Sequence, residues 1–303
     1  MPESDHEGVP PAMAVSVLAG ALGAIQPKVN AVLAARLDSP VLASLVNFAV
    51  ACAFGGVLLG FRPGTRRHLR SIRAWPVPRW TFLAGLGGVL VVLSGAVSVE
   101  TIGVAVFSVA FYAGQLTAGL LVDRLGIGAG GVRLIAPSRV WAAALALVAV
   151  AVSQLGRPVG DLAPGLVAVV LVAGAAASFQ AVANGRIADA LDDAAAPTAV
   201  NTTVGTAALL LITAALAVTG HVTAPTWPAE PWLYVGGALG VAIVLSIAIA
   251  AAAVGVLRAT LTMLAAQLVA AMVVDAVVTG DPPTPGVVAG AGLILVAVLL
   301  LRR

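Results

Sequence analysis

The 303-residue chain is 60% hydrophobic and only 10% charged, with a mean hydropathy of +1.07. Because a water-soluble domain carries about 25% charged residues, this composition excludes an ordinary soluble protein. The net charge of +3 does not indicate a nucleic-acid partner, since six of the 16 basic residues lie in the segment 62–79. Membrane orientation explains such a cluster better than a phosphate ligand does.

Apolar stretches of the length that a bilayer requires, about 20 residues, recur along the whole chain. They predict ten helices joined by segments rich in glycine and proline. In chain order, the predicted helices are 12–35, 40–61, 80–99, 103–122, 139–156, 162–187, 197–219, 232–253, 258–278 and 286–301. The short segment 100–102 predicts a tight hairpin between the third and fourth helices. The predicted fold class is therefore an all-α integral membrane protein with ten transmembrane helices.

The second half of the chain repeats polar residues of the first half at nearly constant offsets. At an offset of 154 residues, the pairs are Gln26 and Gln180, Asn30 and Asn184, Asp38 and Asp192, and Asn47 and Asn201. At an offset of 152 residues, they are Trp80 and Trp232, Ser94 and Ser246, Gly103 and Gly255, Gln115 and Gln267, and Asp123 and Asp275. The chain is therefore predicted to be one five-helix unit present twice, in residues 1–156 and 157–303.

Five crossings in each unit would turn the second unit over relative to the first. The charge pattern agrees, because segment 62–79 carries six arginines and its counterpart 220–231 carries no lysine or arginine. With both termini in the cytoplasm, thirteen of the 16 basic residues face that side, as the positive-inside rule requires. The prediction is a multi-pass protein of the cytoplasmic (inner) membrane with two inverted five-helix repeats.

Several stretches of the chain resemble a known family. The first half contains LAGALGAIQPKVNAVLAARLDSP, then LVNFAV, and later GVAVFSVAFYAGQLTAGLLVDRLG; the second contains VAGAAASFQAVANGR, AVNTTVGT and AAQLVAAMVVD. In these stretches the chain resembles the YdcZ-like branch of the drug/metabolite transporter (EamA-like) superfamily. The resemblance implies a ten-helix transporter with two inverted halves, and it does not imply a substrate. The glycine at Gly126, after Asp123, is replaced by Val278 in the second copy.

Amide side chains inside the apolar stretches are the candidate site. Residues four apart share a helix face, as Gln26 and Asn30 do in the first predicted helix and Gln180 and Asn184 in the sixth. Such amides either hold helices together or line a substrate site between the repeats, and both interpretations stay open. The candidate substrate-binding residues are Gln26, Asn30, Asn47, Gln115, Gln180, Asn184, Asn201 and Gln267.

Four charged residues near the membrane have two interpretations each. Lys28 lies two residues from Gln26, so it is expected on the opposite helix face, extending towards the outer interface, with a functional cation as the alternative. Glu100 is either a solvated turn residue or a proton acceptor for coupled transport. Asp123 and Asp275 end apolar helices, where a carboxylate needs a basic partner or a helix N-terminus to cap.

Signatures of an enzyme are missing from the sequence. His6, His68 and His221 fall in the tail or in loops, and no metal-binding spacing, phosphate loop or nucleophile motif occurs. The predicted function is a secondary transporter that moves a small polar or amphipathic metabolite or drug by alternating access, with proton coupling through Glu100 left open. It needs no catalytic residue, metal or cofactor. The alternatives are a membrane scaffold, a channel or a lipid-acting membrane enzyme.

The expected partners are the small-molecule substrate and the lipid bilayer, and no nucleic acid. The sequence leaves a homodimer open.

Overall fold

A computed structural model of the chain describes residues 9–127, 136–156, 162–193, 195–222, 225–280 and 282–300, and these contain helices and no strand. Four basic residues used in the orientation argument lie outside this part of the chain: Arg133, Arg157, Arg302 and Arg303. The ten α-helices are α1 (Val9–Leu37), α2 (Pro40–Gly60), α3 (Pro63–Arg70), α4 (Ala84–Leu125), α5 (Pro137–Ser153), α6 (Pro164–Leu191), α7 (Ala196–Val218), α8 (Gly236–Val254), α9 (Val256–Val274) and α10 (Pro285–Leu300). The prediction of an all-helical fold is confirmed.

Helix α4 is a hairpin of two arms, 84–102 and 104–125. Gly103 between them has φ +81° and ψ 161°, which is not helical. A Cβ atom on Gly95 would lie 3.7 Å from the ring of Phe107, although twelve residues of straight helix would span about 18 Å. The predicted turn at 100–102 is therefore present, with its non-helical residue, Gly103, directly after the predicted segment.

Each of the ten predicted apolar helices has a counterpart. Among the described residues, six helices are long and apolar enough to cross a membrane, namely α1, α2, α4, α6, α7 and α9, and α4 supplies two arms. Three shorter apolar helices lie in α5, α8 and α10. Helix α3 is additional and lies in a segment predicted as a loop. It is short and basic, so a search for apolar stretches does not detect it.

Equivalent residues of the two halves have the same backbone conformation. Asp38 has φ 48° and Asp192 has φ 49°, in a region that non-glycine residues seldom adopt. Gly103 and Gly255, which precede the second arm of α4 and α9, have φ 81° and 84°. The two halves therefore turn in the same way at the same places.

Helices also pack in an exchanged pattern across the halves. A methyl group on Gly20 in α1 would overlap the carbonyl oxygen of Met263 in α9. A methyl group on Gly174 in α6 would overlap that of Phe111 in α4. Gly174 is the counterpart of Gly20, and Met263 is the counterpart of Phe111. Small residues allow such close backbone contacts in membranes, and here they bring the first helix of each half against the fourth helix of the other.

Candidate functional site

Two adjoining cavities lie between the halves. The α4–α9 cavity has a volume of about 280 Å³ and is lined by α1, both arms of α4, α8 and α9. The α2–α7 cavity has a volume of about 300 Å³ and is lined by α1, α2, α4, α6, α7 and α8. Gln26, Val91 and Val92 line both cavities, so they form the boundary between them.

All eight amide residues predicted from the sequence line one or both cavities. Gln26, Asn30, Gln115 and Gln267 line the α4–α9 cavity. The α2–α7 cavity is lined by Gln26, Asn47, Gln180, Asn184 and Asn201. The lining residues of both cavities include no charged side chain. The structure therefore brings the predicted residues together, while their role in binding stays a prediction.

The asparagines form two equivalent hydrogen bonds. Asn47 donates through Nδ2 to Oδ1 of Asn30 at 2.8 Å, which joins α2 to α1. Asn201 donates through Nδ2 to Oδ1 of Asn184 at 3.0 Å, which joins α7 to α6. These asparagines hold neighbouring helices together and line the cavities as well. In the second pair, Oδ1 of Asn201 is buried and has no partner in the described part of the chain.

Gln26 and Gln180 each lie against a glycine of the opposite half. A Cβ atom on Gly240 would be 2.7 Å from Nε2 of Gln26, and a Cβ atom on Gly88 would be 3.1 Å from Nε2 of Gln180. Gln26 donates to the carbonyl oxygen of Gly236 at 3.0 Å. Among the described residues, the amide of Gln180 has no hydrogen-bond partner, so it is available to a ligand.

Gln267 and Gln115 also differ in their hydrogen bonds, as Gln26 and Gln180 do. Gln267 accepts a hydrogen bond from the Tyr112 hydroxyl at 2.7 Å and donates to the carbonyl oxygen of Gly23 at 3.3 Å. The counterpart of Tyr112 is Leu264, which has no hydroxyl, and the side chain of Gln115 has no hydrogen-bond partner within the described ranges. Tyr112 was not among the predicted residues, although its spacing of three residues from Gln115 places both on one helix face.

Lys28 lies off both cavity linings, but it does not end at an exposed surface as a snorkelling side chain would. Its side chain is buried, with the residue 8% exposed, and Nζ donates to Oε1 of Glu100 at 2.8 Å. Helix α1 contacts α2, α4, α8 and α9, and protein covers the Lys28 side chain itself. The Glu100 side chain is 44% exposed. Neither residue lines a cavity, so the ion pair lies outside the candidate site.

Asp123 and Asp275, at helix ends, were predicted to need a basic partner or a helix N-terminus to cap, and each kind of partner occurs once. Asp275 accepts hydrogen bonds from the backbone N–H groups of Val104 and Ala105, both at 2.8 Å. It therefore caps the second arm of α4, where a negative charge also interacts favourably with the helix dipole. Asp123 instead forms an ion pair with Arg139. The cap joins the end of one half's fourth helix to the start of the other's.

The basic segment after α2 contacts the turn between α6 and α7. Nδ1 of His68 lies 3.1 Å from Oδ2 of Asp193, and the Trp75 indole donates to the His68 carbonyl at 2.9 Å. Burial opposes ionisation of Asp193, but hydrogen bonds from Thr65, the Ala195 backbone N–H and His68 outweigh it and lower its pKa. The sequence contained no signal for this pair, because its members are 125 residues apart.

No group of three or more histidine, cysteine, aspartate or glutamate side chains that could hold a metal ion occurs in the described part of the chain.

Comparison with known proteins agrees with the resemblance seen in the sequence. The family described as "Putative inner membrane exporter, YdcZ", of the drug/metabolite transporters, matches residues 11–152 and 165–300, which together span most of the chain. A solved crystal structure of a protein with 19% sequence identity superposes with a TM-score of 0.52, covering 98% of this chain and 97% of that chain. At this identity the likeness shows the fold alone. No match is found among curated proteins. The chain belongs to the YdcZ family of the drug/metabolite transporters.

Proposed function

We propose that the protein is a secondary transporter that carries a small polar or amphipathic molecule across the cytoplasmic membrane through the two amide-lined cavities. The observation that carries this proposal is that eight duplicated amides line two adjoining cavities between the halves. Gln115 and Gln180 are the primary ligands in this proposal, because their amides have no hydrogen-bond partner in the described part of the chain. With no charge in the cavity lining, a polar uncharged group suits the site better than a strong anion.

The transport cycle in this proposal is alternating access between two inverted five-helix halves. Equivalent contacts that are exchanged between the halves support it, such as Gln26 against Gly240 and Gln180 against Gly88. In such a carrier, one half rocks against the other around a fixed central site. The cavities between the halves are where that motion would open and close access to the amides.

Saturable substrate flux in proteoliposomes tests the proposal. The purified protein should move its substrate at a rate that saturates with concentration, and Gln180→Ala should raise the half-saturating concentration at least several-fold. Gln154→Ala is a matched control, because Gln154 hydrogen-bonds to Ser153 at a helix end and does not line the two cavities. Flux that never saturates would indicate a channel, and the absence of flux for every compound screened would favour a scaffold.

The orientation is tested by cysteine labelling in a Cys52→Ala background. We propose that segment 62–79 is cytoplasmic and segment 220–231 is external. Thr65 is a poor position for a reporter, because it is only 3% exposed, whereas Gly64 and Thr226 are exposed. A membrane-impermeant maleimide added to intact cells should label Thr226→Cys and leave Gly64→Cys unlabelled. The reverse pattern would contradict the orientation.

A further inference from the structure

A third cavity of about 450 Å³ adjoins the α2–α7 cavity, and we call it the α2–α8 chamber. Its walls are the end of α2, the start of α7 and the middle of α8. Most of the lining side chains are apolar, including Leu58, Leu59 and Leu245. Arg62, where α2 leads into the basic segment, is the charged residue of its lining. A cavity of this size is in the range of small-molecule sites, about 300–1,000 Å³.

The chamber shares a wall with the α2–α7 cavity. Thr198, Thr202, Val241 and Val244 line both the chamber and the α2–α7 cavity. An apolar compartment therefore lies beside the cavity that is lined by Gln180 and Asn201. Together the two compartments match a molecule that is apolar at one end and polar at the other.

The wall of the chamber also continues into the outer apolar surface. Phe61, Ile249 and Val244 line the chamber and are 81%, 60% and 45% exposed. Exposed apolar side chains are suited to contact with lipid, so this part of the wall would offer an apolar entry to a molecule dissolved in the bilayer. Arg62 at the same end disfavours a cationic molecule, because the two positive charges would repel each other.

We propose that the α2–α8 chamber holds the apolar part of an amphipathic, uncharged substrate whose polar group reaches the amides of the α2–α7 cavity. This inference rests on the proposed function, because it assigns a substrate class to the same site. The occupant is an amphipathic molecule drawn from the membrane. A small polar metabolite without an apolar part would leave most of the chamber unused.

Two adjacent glycines provide a matched pair of variants. A Cβ atom on Gly55 or on Gly56 would meet no atom within 4 Å, so neither position is crowded. Gly55 lines the chamber, and Gly56, the next residue of the same helix, does not. Gly55→Leu should therefore fill part of the chamber, while Gly56→Leu adds the same side chain to the outer surface. Both changes remove a helical glycine, so their effects on helix stability should be similar.

The experiment uses nicotinamide and its N-alkyl derivatives, from N-ethyl to N-hexyl, binding to the full-length protein in nanodiscs. Binding to empty nanodiscs is subtracted to remove partition into lipid. Each methylene that enters the chamber should raise affinity about fourfold in the wild type and in Gly56→Leu. In Gly55→Leu, nicotinamide itself should bind as before, while the gain for the longer chains should be lost.

Equal chain-length gains in Gly55→Leu and Gly56→Leu would overturn the inference, and so would the absence of saturable binding by every member of the series. Gln180→Ala separates this inference from the proposed function. If the amide site is correct, Gln180→Ala weakens all members by a similar factor and leaves the gain per methylene intact. If nicotinamide affinity is unchanged in Gln180→Ala while Gly55→Leu still abolishes the gain, the chamber binds apolar chains and the amide site is wrong.

Discussion

The two halves of the molecule make the same asparagine contact and differ at their glutamines. Asn47 bonds to Asn30 at 2.8 Å in one half, and Asn201 bonds to Asn184 at 3.0 Å in the other. Gln26 and Gln267 are held by protein atoms, whereas their counterparts Gln180 and Gln115 make no side-chain hydrogen bond to the described residues. The two halves therefore share the asparagine contacts, and within the described residues one glutamine of each pair has a protein partner while the other has none.

This difference suggests that glutamines at equivalent positions of the two halves have different roles, one structural and one in ligand binding. Polar groups that hold one helix against another need hydrogen-bond partners in the protein, because an unpaired polar group in hydrocarbon costs roughly several kcal/mol. The polar groups that recognise a ligand must be free until it arrives. In a symmetric site, all four glutamines would have equivalent partners, and the proposed division into structural and ligand-binding glutamines departs from that symmetry.

The largest effect is expected where the two halves agree, at the exchanged close contacts. Gly174→Ala and Gly20→Ala should each destabilise the protein by about 3 kcal/mol, because the new methyl group overlaps a backbone carbonyl that cannot rotate away. Gly185→Ala in α6 is the control, since nothing lies within 4 Å of its Cβ position. Thermal unfolding in a mild detergent measures all three variants. A strong effect at Gly174 with none at Gly20 would mean that the two equivalent contacts do not contribute equally to stability.

A smaller effect is expected where the halves use equivalent aspartates differently. Asp275→Ala should cost about 2 kcal/mol, because it exposes two N–H groups at the start of the second arm of α4. Asp123→Ala should cost less than about 1 kcal/mol, since the Asp123 and Arg139 side chains are 24% and 30% exposed and water screens their charges. The measurement is the melting temperature of both variants in the same detergent. Equal losses would contradict the assignment of a cap to one and a surface ion pair to the other.

The ion pair of Lys28 and Glu100 exists in one half only, because the equivalent residues are Val182 and Ala252. Glu100→Gln should destabilise the protein by about 1.5 kcal/mol, since it leaves the buried ammonium group with a neutral acceptor. The half-exposed position of Glu100 keeps this below the cost of a fully buried pair. The double variant Lys28→Val with Glu100→Ala, which copies the second half, should recover most of the loss.

The same variants test proton coupling through Glu100. If Glu100 is the coupling group, an imposed pH gradient drives uptake in the wild type and fails to drive it in Glu100→Gln, although exchange of substrate down its own gradient continues. If the pair is structural, the double variant keeps the response to the pH gradient. These two outcomes are opposite, so one set of proteoliposome experiments separates them.

The sequence was enough to predict which amides line the cavities, but not which residues contact the charged side chains near them. The reason is physical. A constant offset reveals duplicated residues such as Gln115 and Gln267 directly, and apolar length reveals the helices that carry them. The position of Lys28 was inferred from helix periodicity. Periodicity tells which side of α1 a residue is on, but it does not tell which other helices pack against that side. The partner of Lys28, Glu100 in the α4 hairpin, lies 72 residues away in the chain, so periodicity gives no sign of it. Asp193 and His68 were missed because their contact depends on how distant segments pack.

The smallest changes in stability, and the sharpest test of the comparison, are expected at the glutamines. Gln267→Ala should lower the free energy of unfolding by about 0.6 kcal/mol, the average for a hydrogen bond between membrane helices, because Tyr112 loses its acceptor. Gln115→Ala should leave the melting temperature nearly unchanged, because its amide has no hydrogen-bond partner among the described residues. It should weaken substrate binding at least several-fold, because the proposal makes this amide a substrate ligand. Binding and melting temperature should be measured on the same purified preparation of each variant. If Gln115→Ala lowers stability as much as Gln267→Ala and binds substrate normally, both glutamines are structural and the comparison between the halves has no functional meaning. If Gln267→Ala alone weakens binding, the ligand displaces Tyr112 from Gln267, and the amides held by protein become the substrate ligands.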